Sequence, residues 1–508
     1  MNIKIDYSIE TARSGHSIVV VNDRRGSVPL NSRFDPVREG GQSTYDFEPE
    51  KFSLLIVLGC SLGYNLIQAK DILERFRTVV IIDILEGIEN KIEGNSVTSF
   101  LTEISSVKFY TGKEVSSLES ILKNEIDFSG ISGVQVVEHS ASVRIFNEYY
   151  SSVKELIRYI IDSEARNSST VKAFGRLFLR NAINNLKYFD RVYPVERLKN
   201  RFKGEGALIV SSAPSVEDYI DNVNIYSHLY YIIAVDSALP LLRERGVKPD
   251  FVISIDPQPR IFEHFLGQSA DNPVFIFSIV SSPELLRRYG GYVSLNSHPV
   301  SQVLDEVFPG VAGSIDSGTG SVAGDALSFC LFAGFSNIAL TGFDFSFSGN
   351  NIYARGSAYQ KRYSAYFNNR LHTAETFNAD YIFKSSRAFI HKGKYTRKSF
   401  IGYKDSMEQF IGKNNISHVY SINERGIPLN NTNKISLERF ASYLNPVKGR
   451  GDYILEKKDK SLLASVIDIK RIGEIFRGES AREILRASYG RAPDSDELQK
   501  FYALLDSL

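Results

Sequence analysis

The chain has 508 residues, of which 43% are hydrophobic and 23% charged, and its formal net charge is +1. A chain of this length exceeds what one hydrophobic core supports, so two or three domains are expected. The near-neutral balance gives no support for nucleic-acid binding, which usually needs a basic face.

The two cysteines and the apolar runs indicate where the protein works. Cys60 and Cys330 are far apart, each inside an apolar segment, which is typical of buried thiols in a reducing compartment. The first residues, MNIKIDYSIETA, show no hydrophobic signal-peptide core. No uncharged apolar run approaches the roughly 20 residues that a membrane helix needs. We therefore expect a cytoplasmic protein that is not inserted in a membrane.

Residues 1–140 are predicted to form an N-terminal α/β domain. The apolar run FSLLIVLG ends in a glycine, as a parallel strand does before it turns into a helix. The helix-like run LIQAKDILERF follows, and a second strand, TVVIID, ends at Asp83. This is half of a Rossmann-type unit, with GCSLG at its first turn. Because the third glycine of the dinucleotide fingerprint is missing, we interpret Gly59, Gly63 and Asp83 as structural.

A second α/β series follows a helical linker at 141–195. Its strands, within 196–435, are ALIV, YYIIAV, FVISID, VFIFSIV and NIAL, and a last short one is HVYS. Strands that alternate with helices at this spacing predict a doubly wound, Rossmann-like parallel sheet with helices on both faces. The C-terminal region, 436–508, is predicted to be helical. Its helices are expected to pack on the body of the chain or on a second copy, as in a homo-oligomer.

Four polar turns follow strands of this second sheet. They are residues 211–215, Asp236-Ser237, Asp256-Pro257 and residues 342–344. Because the carboxyl ends of parallel strands share one edge, we expect these turns to converge. A single aspartate after a strand is more often a helix N-cap than a ligand group. Four turns together, with a glycine-rich turn that opens a helix near Ser321, favour a nucleotide or phosphosugar site.

Signals for a metal site or a nucleophile are weak. The eight histidines are scattered, and neither a GxSxG elbow nor a Walker loop is present. We expect no tightly bound cofactor and no required metal. The stretch YARGSAYQKRYSAYF contains Tyr353 and Arg355 among further tyrosines and cations. It predicts either an ordinary packed segment or a mobile lid over a charged ligand.

Three stretches resemble the motility accessory factor (Maf) family of bacterial flagellin glycosyltransferases. They are LNSRFDPVREG, AVDSALPLLRERGVKPDFVISIDPQ and GTGSVAGDALSFCLFAGFSNIALTGFDFSF. The resemblance covers most of the chain up to about residue 430. It implies an enzyme that transfers a nonulosonic sugar, such as pseudaminic or legionaminic acid, from a CMP-activated donor to Ser or Thr of flagellin.

The second domain is also similar to bacterial lipooligosaccharide sialyltransferases, which use CMP-activated sugars. The similarity implies that Tyr353 hydrogen-bonds the leaving phosphate, and Arg355 is predicted to be a catalytic residue that supplies a further donor there. A general-base histidine is expected near 391–399, where His391 is the only histidine, although a gapped alignment favours residues 396–399. The implied donor-binding residues are Ser212, Ala213, Ser215, Asp236, Asp256, Thr319, Gly320, Ser321 and Asp344.

Two other functions stay open. The second domain is similar to archaeal 6-hydroxymethylpterin diphosphokinases, whose turn for magnesium and ATP corresponds to Ile255-Asp256-Pro257. The histidine-rich run of those enzymes is missing here. The third reading is a non-catalytic protein that keeps the fold and binds flagellin, because the base is unassigned and two donor-site asparagines are aspartates in this chain.

Overall fold

The structure is a computed structural model of the chain in two compact units, Met1–Thr170 and Val171–Leu508. The boundary lies inside the helix Asn147–Leu186, within the predicted linker at 141–195. The domain limits predicted from the sequence stay predictions. The structure describes residues 5–23, 26–43, 45–126, 131, 133–269, 273–363, 367, 372–414, 416–423, 425–450, 472–474, 476–477, 480–489 and 491–506.

The strands and helices alternate along most of the described chain. The strands are β1 (Tyr7–Thr11), β2 (Ser17–Asp23), β3 (Gly26–Pro29), β4 (Leu54–Leu58), β5 (Thr78–Asp83), β6 (Val107–Thr111), β7 (Val134–Glu138), β8 (Val192–Pro194), β9 (Gly206–Val210), β10 (Tyr231–Val235), β11 (Phe251–Ser254), β12 (Val274–Ser278), β13 (Gly291–Ser294), β14 (Asn337–Thr341), β15 (Phe389–His391), β16 (Lys394–Thr396), β17 (Val419–Ser421) and β18 (Asn433–Lys434). The α-helices are Pro36–Gly41, Lys70–Leu73, Ile88–Glu93, Phe100–Glu103, Val115–Glu125, Ser140–Ile145, Asn147–Leu186, Leu239–Glu244, Pro283–Tyr289, Pro299–Val307, Val322–Ala333, Ala358–Tyr363, Ala374–Asp380, Lys398–Lys413, Leu437–Ala441, Ser480–Tyr489 and Ser495–Asp506.

The first unit is built on a four-stranded parallel sheet in the order β6-β5-β4-β7. The two strands predicted from the sequence are its central pair, β4 and β5. The helix expected after β4 is shorter than predicted: a 3₁₀ turn at Tyr64–Ala69 precedes four α-helical residues. The antiparallel meander of β1, β2 and β3 was not predicted. The α/β class of this unit is confirmed.

The second unit contains a nine-stranded sheet in the order β18-β17-β14-β9-β10-β11-β12-β13-β8, with every neighbouring pair parallel. The predicted doubly wound parallel sheet is therefore confirmed. Two strands at one edge, β8 and β13, escaped the sequence reading because they are short and carry glycine or proline. The strands that precede the four predicted turns, β14, β9, β10 and β11, are consecutive neighbours in the sheet.

The apolar strand sequences explain why this sheet is rigid. All five residues of β9 and of β10 are buried, as expected for strands covered on both faces. The helix Val322–Ala333 is apolar almost all round and buries most of its length against the sheet. Burial of each large apolar side chain stabilises the fold by about 1.5–3 kcal/mol. The strand ends, and the turns that leave them, are therefore held by a well-packed core.

The C-terminal residues add helices to the second unit. The predicted run 497–508 forms the helix Ser495–Asp506, which buries Phe501 and Leu505 in the core of this unit. Much of the other predicted run, 461–478, lies outside the described residues. Among the described helices, none combines the length and apolar character needed to span a membrane.

Candidate functional site

The four predicted turns lie at one edge of the second sheet, and two of them are joined directly. The amide of Ser211 donates to the carbonyl of Thr341 at 2.9 Å, and the amide of Ala213 donates to that of Gly342 at 3.3 Å. The carbonyl of Ser212 accepts from the Ala354 amide at 2.9 Å. The turn after β9 therefore contacts both the turn after β14 and the loop that carries Tyr353.

Asp344 holds the turn after β9 in place. Its carboxylate is fully buried, and it accepts hydrogen bonds from the amide of Ser215 at 3.0 Å and from the Ser215 hydroxyl. Burial raises the pKa of Asp344, and the bonds from Ser215 oppose that rise. The sequence reading placed Asp344 on the donor itself. The geometry instead favours a positioning role, because both carboxylate oxygens are engaged by Ser215.

Asn423, which follows β17, completes this arrangement. Its side-chain oxygen accepts from the Gly342 amide at 2.9 Å and contacts the Ser215 hydroxyl at 3.1 Å. A side chain at Gly342 would clash with the carbonyl of Ser211, and the φ of Gly342 is +75°. Only glycine fits this close approach of two turns. Asn423 was missed by the sequence reading, although its position after a strand of the same sheet was a usable signal.

Asp236 and His264 form the most unusual pair of the edge. The Asp236 side chain is 5% exposed, and its Oδ1 lies 3.4 Å from Nδ1 of His264, which is carried by the 3₁₀ helix Pro259–Phe265. The contact lacks hydrogen-bond geometry. Within the described chain, Asp236 Oδ2 and His264 Nδ1 are both buried without a hydrogen-bond partner. A buried carboxylate oxygen with no partner is costly, and a ligand that donates a hydrogen bond to it would relieve that cost.

Asp256 lies beside this pair. Its Oδ1 accepts from the Gln258 amide at 2.8 Å, which orders the turn after β11. Burial raises the pKa of Asp256, the charge of Asp236 raises it further, and His264 and Arg362 lower it. Two carboxylates, an imidazole and a guanidinium thus influence one another at the ends of β10 and β11. The sequence predicted the two aspartates. It gave no signal for His264, because that histidine stands at no metal-ligand spacing from another histidine or a cysteine.

Tyr353 lies among other tyrosines and next to Arg397. Burial raises the pKa of Tyr353, and the Arg397 guanidinium opposes that rise. The neighbouring hydroxyls of Tyr381 and Tyr403 and the carboxylate of Asp236 also act on it, which brings this loop to the same edge as β10. The guanidinium of Arg397 donates to the Tyr381 hydroxyl at 2.7 Å, while its Nε is buried without a partner in the described chain.

Arg355 and His391 are placed differently from Tyr353. The Arg355 amide donates to Glu217 at 2.8 Å, and its side chain is exposed. His391 ends strand β15 and is paired in register with Lys394. Among the described residues, no hydrogen bond or ion pair connects its ring to Tyr353 or Asp236. The structure thus places Arg397, from the stretch where a base was sought, next to Tyr353.

In the glycine-rich turn before the helix Val322–Ala333, several polar groups hydrogen-bond to one another or to the start of the helix. Ser321 is the N-cap and accepts from the Gly324 amide at 3.1 Å, and its hydroxyl contacts that of Thr319 at 3.2 Å. Gly320 has a φ of +72°, and a Cβ there would lie 4.0 Å from the Tyr403 ring. The turn therefore borders Tyr403, one of the tyrosines that surround Tyr353. Ser212, on the turn after β9, shares a 2.7 Å hydrogen bond with Ser237.

A buried carboxylate lies at the start of the same helix. Asp325 accepts from the amide and the hydroxyl of Ser317 at 2.9 and 2.6 Å. Burial raises the pKa of Asp325 to about 7, the charge of Asp316 adds to the rise, and the bonds from Ser317 oppose it. The charge at this helix start therefore changes near neutral pH.

In the first unit, side chains of the protein itself occupy the space at the turn GCSLG, where a ligand would otherwise bind. Asp83 is fully buried, and its carboxylate accepts from the amides of Cys60 at 2.8 Å, Ser61 at 3.0 Å and Leu85 at 3.0 Å. A Cβ at Gly59 would lie 2.6 Å from that of Ser142, so the turn is tightly covered. This geometry favours the structural interpretation of the turn.

Comparisons with known proteins agree with this fold. Residues 180–350 match a family model described as 6-hydroxymethylpterin diphosphokinase MptE-like. Two uncharacterized proteins of Treponema pallidum (strain Nichols) are similar: one is 40% identical over 85 residues, 17% of this chain, and the other 27% identical over 248 residues, 49% of this chain. These matches cover 40% and 54% of the two relatives.

The structural comparison covers nearly the whole chain. A solved structure titled as a Maf glycosyltransferase from Magnetospirillum magneticum AMB-1 aligns with a TM-score of 0.54 and 13% identity. The alignment covers 99% of this chain and 89% of that one. The resemblance inferred from three sequence stretches is thereby confirmed at the level of the fold, and the chain shares the fold of that glycosyltransferase.

Proposed function

We propose that this chain is a glycosyltransferase that moves a nonulosonic sugar from a CMP-activated donor to Ser or Thr of flagellin in the cytoplasm. The observation that carries the proposal is the sheet edge at which four predicted turns converge and where one buried oxygen of Asp236 has no hydrogen-bond partner among the described residues. The shared fold with a Maf glycosyltransferase supports the reaction class. The sugar, the nucleotide and the acceptor follow from the sequence resemblance.

The chemical step involves an acceptor hydroxyl, the phosphate that leaves from the donor, and a base. The acceptor hydroxyl oxygen forms a bond to the anomeric carbon while the bond from that carbon to the donor phosphate oxygen breaks. The electron pair of the broken bond leaves with CMP, whose phosphate gains negative charge. The hydroxyl proton passes to a base. A catalyst therefore needs a base on the acceptor side and hydrogen-bond donors at the leaving phosphate.

We assign the base to His264 rather than to His391, the histidine that was predicted from the sequence. The carboxylate of Asp236 lies 3.4 Å from Nδ1 of His264 and stabilises the imidazolium that forms when the ring takes a proton. The other nitrogen, Nε2, is the one that faces away from this carboxylate. The second oxygen of Asp236 is left for a hydroxyl or amide of the donor. Among described residues, His391 has no comparable carboxylate contact.

We assign the leaving phosphate to Tyr353 and Arg397. Both lie in one cluster, and each carries donors that could meet a phosphate oxygen: a phenol hydroxyl, and a guanidinium whose buried Nε has no partner in the described part of the chain. Donors in a water-poor site stabilise the growing charge more strongly than they stabilise the bound donor. Arg355 is exposed, so its expected role is to attract the charged donor to the site.

A second function, pterin diphosphokinase, is favoured by the family-model match over residues 180–350. It would bind ATP and magnesium at the turn after β11, where Asp256 lies. The two functions differ in nucleotide and in product. Thermal shift with CMP, CDP and ATP plus magnesium separates them: a cytidine response supports the transferase, and a response to ATP plus magnesium alone supports the kinase.

The decisive experiment measures the mass of flagellin. Deletion of the gene in its own organism is expected to remove a nonulosonic-acid mass from flagellin and to reduce motility. The purified chain with a CMP-activated nonulosonic sugar should restore that mass to flagellin from the deletion strain. An unchanged flagellin mass after deletion would refute the proposal.

A further inference from the structure

A short stretch of the second unit exposes an unusual amount of apolar surface. Phe383, Phe389, Ile390 and Tyr395 are exposed by 53%, 38%, 65% and 38%, although they lie within 13 residues. A large exposed apolar cluster with a polar rim marks an interaction site more often than scattered apolar residues do. We define the hairpin surface as these four side chains and the exposed cations around them, Arg387, Lys392, Lys394 and Lys398.

The hairpin of β15 and β16 carries three of these four apolar side chains, distributed over its two faces. Ile390 and Tyr395 are directly opposite in the antiparallel register, so their side chains share a face. The ring of Phe383 packs edge-on against that of Tyr395, with centroids 5.0 Å apart. On the other face, Phe389 and Lys394 are exposed, whereas Thr396, which is opposite Phe389, is fully buried and donates to the Phe345 carbonyl at 2.7 Å. Thr396 thus fastens the hairpin, and both of its faces contribute to the exposed surface.

The charge of this stretch is strongly positive. Residues 380–398 contain six lysines and arginines and one acidic residue, Asp380, in a chain whose net charge is only +1. Lys384 pairs with Asp380 at 2.7 Å. The four cations of the hairpin surface are exposed and make no ion pair within the part of the chain that the structure describes. The surface is therefore both apolar and cationic, and its charge is uncompensated.

The hairpin is attached to the candidate site. The amide of Phe347 donates to the Tyr395 carbonyl at 2.8 Å, which ties β16 to the segment between Asp344 and Tyr353. Arg397, two residues after Tyr395, belongs to the Tyr353 cluster. Anything bound on the hairpin surface is consequently held next to the proposed reaction centre.

We propose that the hairpin surface docks the protein acceptor through an acidic segment with apolar side chains. This inference rests on the proposed function and adds the site that recognises the acceptor. Aromatic side chains give large contact areas at low entropic cost, and unpaired cations attract an acidic partner and fix its register. A polypeptide is favoured over an anionic membrane because the surface adjoins the site that must receive an acceptor hydroxyl.

The test compares two hairpin variants with two matched controls. The variants are Ile390→Asp with Tyr395→Ser, and Lys392→Glu with Lys394→Glu. The controls are Ile225→Asp, at a position 59% exposed in another segment, and Lys248→Glu, at an exposed lysine elsewhere in the unit. Binding of flagellin from the same organism is measured by fluorescence anisotropy without donor. We expect both hairpin variants to bind at least about tenfold more weakly and both controls to bind as the wild type does.

The outcomes separate this inference from the proposed function. Flagellin that does not bind, or that binds the hairpin variants and the wild type equally, overturns the docking surface. Sugar transfer that persists unchanged in these variants also overturns it, while the transferase stands. Hairpin-dependent binding without any transfer supports the surface and refutes the transferase. Release of CMP from the donor to water should be equal in the wild type and the variants, which would show that the variants keep the reaction centre.

Two further measurements address the other occupants of such a surface. Sedimentation with phosphatidylglycerol vesicles should show no hairpin-dependent binding at physiological salt, and sedimentation velocity should show no self-association that the variants abolish. A positive result in either experiment, with flagellin binding unchanged in the variants, would assign the surface to a membrane or to a second copy and overturn the proposal.

Discussion

The two units contain the same local motif with opposite outcomes. In each, an aspartate at the end of a parallel strand lies beside a polar turn: Asp83 is the last residue of β5 in the first unit, and Asp236 directly follows β10 in the second. Asp83 accepts from three backbone amides of its own unit. Asp236 is almost as deeply buried, yet one of its oxygens has no partner among the described residues.

The difference shows how a structural carboxylate is distinguished from a candidate functional one. Burial of a carboxylate is tolerated when backbone amides compensate for the lost water, as they do at Asp83. When an oxygen remains uncompensated, the fold carries a cost that a ligand can relieve. Burial alone therefore does not distinguish the two carboxylates, whereas their hydrogen bonds within the described chain do.

The largest expected effect comes from exchanging each aspartate for alanine. Asp236→Ala should lower transfer by about 10³-fold or more and leave the midpoint of thermal unfolding unchanged or higher, because an unpaired buried oxygen is removed. Asp83→Ala should do the reverse: it leaves three buried amides unpaired and lowers the free energy of unfolding by about 3 kcal/mol. Kinetics and calorimetry of both variants check this. Normal transfer by Asp236→Ala would abolish the comparison.

The second effect concerns the base. His264→Asn should lower kcat by about 10²–10³-fold, since general-base catalysis contributes this much. The matched variant His391→Asn should lower kcat only slightly, because that ring has no ion pair with a carboxylate among the described residues. Steady-state kinetics at saturating donor measure both variants. The reverse ranking would restore His391 as the base.

The third effect tests the leaving-group side. Tyr353→Phe removes one hydroxyl and keeps the ring, whose centroid lies 4.7 Å from that of Tyr359. We expect kcat to fall by about 10²-fold with little change in the donor KM, because the hydrogen bond matters most when charge builds on the phosphate. Tyr359→Phe serves as the control and should be nearly neutral. Wild-type kcat in Tyr353→Phe would exclude this loop as the phosphate clamp.

The smallest effect is a pH dependence of stability from Asp325. Its pKa is raised by burial to about 7 in the folded chain, from an ordinary value of 3.8. Between pH 3.8 and about 7, the folded state keeps the proton on Asp325 whereas the unfolded state has lost it. The free energy of unfolding therefore decreases as pH rises through this range and levels off above pH 7. Between pH 5.5 and 7 the decrease should be roughly 2 kcal/mol. Asp325→Asn should remove it in urea titrations, and an equal slope in both proteins would contradict the assignment.

The sequence by itself determined the α/β class and most strands of the two parallel sheets, and it predicted where a site is expected. Continuous apolar runs that end at a glycine, an aspartate or a small hydroxyl residue predicted β4, β5, β9, β10, β11, β12 and β14, because a strand buried on both faces needs apolar side chains at every position. The placement of polar turns after four of these strands predicted one shared edge. Three quoted stretches predicted a fold that a solved glycosyltransferase shares over 99% of the chain.

Only the tertiary structure decided which side chains meet there. His264 reaches Asp236 from a 3₁₀ turn after the neighbouring strand, and Arg397 reaches Tyr353 from 44 residues further along the chain. Neither contact leaves a periodic or spaced pattern, since each arises from the order of strands and from the packing of loops. Hydrogen-bond satisfaction is likewise invisible in sequence: Asp83 and Asp236 both follow apolar strands, and only the positions of the surrounding amides make one carboxylate complete and leave the other open.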